Sequence, residues 1–284
     1  MTNGIHPARA VWIMASVTLR EAARRRILWT ALFAAALLLA IFGVALRLQV
    51  LEFQGRTMSP FVRYQVEAGM PMIGRYTCDL LAVVMTILTS IDTIAGEITS
   101  GTIHAIATKP LARWQIVTGK FLGFVAMIVS YVVLTFSGTV AVAYAFTGVL
   151  PEHPLRGLAL IIAECIVALA VTFLLGTWFS TLTAGVLALG LQGVAFMGGW
   201  LEQVSGFSQS THIVTLGVIS SLVMPTESLW RRAAFENQTP LAGSLSFSPF
   251  ANVSIPSIAA LIYALVFAAC IGAAALWRMH ERDL

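Results

Sequence analysis

The sequence predicts an all-α integral membrane protein with six transmembrane helices. Three observations carry this. Apolar residues make up 58% of the 284 residues, against roughly 45–50% in ordinary globular chains. Charged residues are only 11%, against about 25%, too few to cover a soluble fold. Six runs also reach the length of about 20 mainly apolar residues that a membrane crossing needs: 27–46, 76–95, 121–146, 157–178, 182–201 and 258–277.

Residues 1–26 precede the first run. There Arg9, Ser16, Arg20 and Arg24 fall within about 80° of one another at helical spacing, while Val11, Ile13, Met14, Val17 and Leu19 are apolar. That pattern suits a helix lying along the membrane interface. With Arg25 and Arg26 it forms a basic cluster, which sets the preceding segment in the cytoplasm by the positive-inside rule. Run 27–46 exceeds a signal-peptide apolar region and reads as a retained signal-anchor. Six crossings then return Arg278 and Arg282 to the cytoplasmic side, together with Lys109, Arg113 and Lys120. More of the 17 Lys and Arg residues fall inside than outside.

Segments 47–75 and 202–257 are the long external loops of this arrangement, the second rich in Ser, Gly and Pro. Within it, 212–224 is apolar but short, ending before Pro225, Glu227, Arg231 and Arg232. A re-entrant or interfacial helix is expected there. Counting it as a seventh span leaves the charge balance unchanged, so length decides for six.

The net charge of +4 sits in the amino-terminal cluster, leaving no basic folded surface for nucleic acid. Cys78, Cys165 and Cys270 show no CxxC spacing and read as small buried apolar residues. Gly119-Lys120 is followed by Phe121, so the chain lacks the GxxxxGK[ST] phosphate loop. Neither HExxH nor GxSxG occurs, and His6, His104, His153, His212 and His280 lie far apart. Met58, Met70, Met72 and Cys78 are soft ligands without ligand spacing. No catalytic residue, metal or cofactor is expected in this chain, and no enzyme activity.

Asp79, Asp92 and Glu164 fall inside crossing runs, where burying a charge is costly and functional roles concentrate. Asp79 and Glu164 are expected to line an outward cavity or to pair with Arg75 or Arg156. Asp92 suits a helix–helix bond near a cytoplasmic gate. Gly119-x-x-x-Gly123 has small-residue packing spacing, and Gly185, Gly190, Gly193 and Gly198 are close-packing positions and a candidate dimer seam.

The most informative stretch is 96–120. A loop between spans should be polar, yet Ile98, Ile103, Ile106 and Leu111 recur there, broken by Gly101 and Pro110. This predicts a short amphipathic helix docked on a surface, then a turn into the next helix. The run Gly96-Glu97, Gly101-Thr102, Lys109-Pro110, Arg113, Gly119-Lys120 and Leu122-Gly123 resembles the signature of type-2 ABC transporter permeases. Arg20-Glu21-Ala22 followed by Arg26-Ile27-Leu28 resembles their NosY-like, multicopper-enzyme-maturation subgroup. So do Pro225 with Leu229-Trp230-Arg231, and Arg282-Asp283-Leu284.

The resemblance implies a single permease domain over 1–284 that dimerises with itself or a similar chain in the plasma membrane, both termini cytoplasmic. It implies two separate ATPase subunits holding ATP and Mg, and ATP-driven export or transport. The coupling helix would contact them through Glu97, Gly101, Thr102, Ile103, Ile106, Lys109, Pro110 and Arg113. The interfacial helix with Arg20, Glu21 and Arg24 would brace it, and Glu97 would pair with Lys120 or Arg24. Two other readings stay open. One is a mechanical transducer acting on an extracytoplasmic accessory protein without passing cargo. The other is an intramembrane enzyme using Asp79, Asp92 or Glu164, which no motif supports.

Overall fold

The computed structural model describes residues 7–24, 26–54, 59–99, 113–208, 211–238 and 255–281. Among them the chain is helical and carries no strand. This follows from the apolar runs, because in lipid a helix satisfies all its backbone polar groups internally. In order the helices are α1 (Pro7–Arg24), α2 (Arg26–Gln54), α3 (Pro60–Thr99), α4 (Arg113–Thr147) and α5 (Pro154–Trp178). They continue with α6 (Thr181–Ser208), α7 (Thr211–Val223), α8 (Thr226–Glu236) and α9 (Ile258–Glu281). Six of these, α2 to α6 and α9, are long and apolar enough to cross a membrane.

Two of them overshoot the bilayer. The 40 residues of α3 span about 60 Å at about 1.5 Å per residue, twice a hydrocarbon core of about 30 Å. The 35 residues of α4 span about 52 Å. The segment 47–75, expected as a loop, is therefore largely helix: α2 runs on to Gln54 and α3 begins at Pro60. Segment 202–257 likewise holds the end of α6, all of α7 and all of α8.

With 13 residues, α7 is about 20 Å long and falls short of a crossing. It packs closely against α6. Their backbones approach at Gly198 and Gly217, where a Cβ added to Gly217 would lie 3.1 Å from the Gly198 carbonyl oxygen. Tyr263 on α9 donates to the Leu222 carbonyl at 2.6 Å, capping an acceptor that the end of α7 leaves open.

Helix α5 is the hub, touching α3, α4, α6, α8 and α9. Its Phe173 meets Phe121 and Phe124 of α4 edge-on, with ring centroids 5.5 and 6.0 Å apart. Met72 joins this core and Met70 packs on Phe42 and Leu46, so both act as apolar filler. Buried hydroxyls of Thr86, Thr89, Ser90, Thr135 and Thr172 donate to the carbonyl one turn back. Polar side chains thus enter the bundle without needing a partner helix. At the periphery, α2 and α9 turn Phe33, Ile41, Ile258 and Trp277 outward, as a lipid-facing surface requires. Helix α1 lies at one end of the bundle and α8 at the other.

Candidate functional site

At the α1 end, shape does the work. Helix α1 presents a face of small buried residues, Ala10, Ala15, Thr18 and Ala22, to the first turns of α4. That part of α4 offers Gly119 and Gly123. A Cβ on Gly119 would sit 2.5 Å from the Met14 Cβ and 2.9 Å from the Val11 carbonyl oxygen. On Gly123 it would sit 2.8 Å from the Ala15 carbonyl oxygen. The two glycines one turn apart are a groove for α1 within this chain. Turned away from α4, Arg9, Arg20, Glu21 and Arg24 are exposed beside Trp12, Ile13, Val17 and Leu19, the mixture an interfacial helix shows.

Residues 100–112 connect α3 to α4 at this end. Gly101, Thr102, Ile103, Ile106, Lys109 and Pro110 lie outside the described residues. Asp92, Glu97 and Arg113 lie on α3 and α4, with side chains outside the description.

At the α8 end, charge and hydrogen bonds replace shape. Helix α8 is 11 residues long and buries Glu227, Arg231 and Glu236. Two glycines make room for its polar groups: a Cβ on Gly199 of α6 would overlap the Glu227 side chain, and one on Gly157 of α5 would overlap Asn237. Arg231 Nη2 donates to Glu202 Oε2 at 2.7 Å. Arg232 donates twice to Glu236 Oε1, at 3.0 and 2.7 Å, while Arg156 approaches the other Glu236 oxygen at 3.7 Å. The loop before α5 adds two backbone bonds, Glu152 N–H to Gln238 and His153 N–H to Glu236, at 3.1 and 3.0 Å. Arg75 of α3 donates to the Asn237 carbonyl and, at 3.1 Å, to the Pro71 carbonyl. A cation thus meets the negative end of the α8 dipole. Burial pushes the Glu227 carboxyl up to about 8; Arg231 opposes this, and Asp79 and Glu202 add to it.

Below α8, Tyr76 packs edge-on against Trp230 with centroids 4.8 Å apart. One turn along α3 from Arg75, the Asp79 carboxyl makes hydrogen-bond contact with Glu164 of α5, and Glu164 with Gln192 of α6. The expected pairing with Arg75 or Arg156 is therefore replaced: Arg75 is drawn to carbonyls and Arg156 to Glu236, leaving the acids to each other.

Of the fifth-run glycines, Gly198 packs inside the chain against Ser220, and Gly185 makes ordinary contact with Ile91 at 3.7 Å. A Cβ on Gly190 or Gly193 would meet nothing within 4 Å among the described residues. Sequence reading passed over Gln192, Glu202 and Asn237, treated Glu227 as the end of an apolar run, and took Arg231 as that end and as part of the family resemblance, without pairing either. The signal was present for part of this: Glu227/Arg231 and Arg232/Glu236 are opposite charges at helical i,i+4 spacing directly after a proline. Nothing in the sequence marks Gln192.

The sequence profile described as ABC-2 family transporter protein matches residues 12–283. The chain belongs to the ABC-2 transporter family. The ABC-2 permease is a multi-pass membrane protein, the membrane component of an ABC transporter, and its family works with an ABC ATPase. No curated protein sequence matches it. The family match takes in the α1 groove, residues 100–112 and the whole α8 end of the permease.

Proposed function

We propose that the ABC-2 permease converts ATP hydrolysis by separate ABC ATPase subunits into export across the plasma membrane, working as a dimer with its α1 end in the cytoplasm. The observation that carries this is the α1 groove. The family match continues through it, and it clasps α4 directly beyond residues 100–112. In this reading that segment is the coupling helix. Ile103 and Ile106 enter an apolar groove on the ATPase, while Lys109 and Arg113 make rim contacts that set orientation more than affinity. Closure of the ATPases pushes the segment, and α3 and α4 carry the displacement as long rigid levers. Because α1 is seated backbone-to-backbone on Gly119 and Gly123, α4 cannot tilt without it. The exposed Arg20 and Arg24 hold α1 at the headgroups, so α1 serves as the fulcrum. The NosY-like resemblance of both chain ends fits the same machine, and Gly190 and Gly193 are free to meet a second permease copy.

The test is co-purification of tagged permease with its co-expressed ATPase in mild detergent. Wild type is expected to bring down vanadate-sensitive ATPase activity, and Ile103→Asp to reduce recovery of the ATPase at least tenfold. Equal recovery and equal hydrolysis with Ile103→Asp and Arg113→Glu would contradict the coupling role.

A further inference from the structure

Under α8, three acceptor oxygens on three helices are buried without a donor: Asp79 Oδ1 on α3, Glu164 Oε2 on α5 and Gln192 Oε1 on α6. All three residues are more than nine-tenths buried. Leaving such acceptors unmatched is costly. The contact between the two acids sharpens the point. An ionised carboxylate offers only lone pairs, so two of them repel; a carboxylic acid adds the O–H donor that joins a pair. Asp79 and Glu164 are nevertheless in hydrogen-bond contact.

Among the described residues no ion pair to a cation joins the two carboxyls. Facing the pair are Tyr76 and Cys78 from α3, Cys165 from α5, Gln192 from α6 and Glu227 from α8. Helix α4 adds Tyr131, and Thr135 beside Cys78. On α9 the charged residues, Arg278 and Glu281, sit at its far end. The nearest cations are engaged elsewhere, Arg75 with two backbone carbonyls and Arg231 with Glu202.

We propose that Asp79 and Glu164 share a bound proton, forming a proton-binding site that fastens α3 to α5 beneath α8 and loosens the α8 end when the proton leaves. The ligand is a proton drawn from water and returned to it, with no redox change. Its loss leaves two adjacent carboxylates in a buried setting, and their repulsion drives apart the helices on which α8 is seated: α3 through Arg75 and α5 through Gly157. Gln192 completes the site by holding the Glu164 carboxyl in place. This inference does not depend on coupling to an ATPase, and its test involves none.

The test uses the full chain in lipid nanodiscs and reads the infrared carbonyl stretch of protonated carboxyls against pH. Glu227→Gln serves as the background, because Glu227 is a third acid in the same patch. At neutral pH that variant is expected to keep a buried protonated-carboxyl band that fades on alkalisation. Adding Asp79→Asn with Glu164→Gln should remove it. A background protein without the band, or a band that survives both amide substitutions, would overturn the proposal.

A second reading guards against a variant that fails to fold. A proton bound by the folded protein and released on unfolding makes stability fall as pH rises. Glu164→Gln supplies an amide N–H donor that cannot titrate, so its thermal midpoint should fall less than wild type's between pH 6 and pH 9. Equal falls would count against the shared proton.

Discussion

The two ends of the ABC-2 permease are held together by different physics. At the α1 end, Val11, Met14, Ala15 and Thr18 meet Gly119 and Gly123 at close backbone approach. That close approach of backbones is steric. At the α8 end, Arg75, Glu202, Glu227, Arg231 and Glu236 are gathered around an 11-residue helix. That contact depends on which groups are ionised and which donors are in place. The comparison suggests a division of labour. An end that transmits force should not slip, whereas an end that opens and closes benefits from bonds that can be exchanged.

Substitutions that attack one end and spare the other sharpen this contrast. The largest effect is expected from Gly123→Leu. No side-chain movement makes room against the Ala15 carbonyl, so α1 must lift from α4, at about 3 kcal/mol or more. Thermal unfolding in mild detergent measures the loss, and a proteolytic cut newly admitted within 7–24 locates it. Next is Arg75→Ala, which strands the Asn237 carbonyl in a buried place and should cost about 2–3 kcal/mol, loosening α8 while α1 stays docked. Gly157→Ala should cost about 1–3 kcal/mol by overlap with Asn237. Because the clash is with one side chain, Asn237→Ser in the same protein should restore part of it, giving a coupling of about 1 kcal/mol. Additive losses in that double-mutant cycle would show that the two residues do not press on each other.

How much of this was legible beforehand differs between the ends in the same way. At the α1 end a spacing could be read, since Gly119 and Gly123 lie one turn apart and the amino-terminal helix has a periodic basic face, but nothing in the sequence named α1 as the helix those glycines receive. The six crossing helices were visible for a similar reason, since hydropathy sums over a window and needs no partner. The α8 end was not visible. Residues 226–236 are too polar to register as a span and, by composition alone, look like a solvated loop, yet their charges are buried against one another. The partner of Asp79 was misjudged because it depends on how α3 is rotated against α5. That rotation is fixed by Tyr76 on Trp230 and by Arg75 reaching the end of α8, contacts more than 150 residues apart in sequence. The helical overshoot of α2 and α3 into 47–75 escaped notice because apolar content ends before the helices do.

The central claim, that one end is held by shape and the other by protonation and charge, is tested most directly by hydrogen–deuterium exchange of the full chain in nanodiscs at pH 5.5 and pH 8.5, corrected for intrinsic exchange. The Glu227 carboxyl, raised from its ordinary 4.5 to about 8 in the folded protein, holds its proton there longer than in the unfolded chain. The stability it contributes is complete below about pH 4.5 and is lost as pH rises through about 8. The account predicts that protection of 226–238 falls at the higher pH, that 7–24 is unchanged, and that Glu227→Gln reduces the fall. Equal change at both ends, or a fall at α8 untouched by Glu227→Gln, would contradict it.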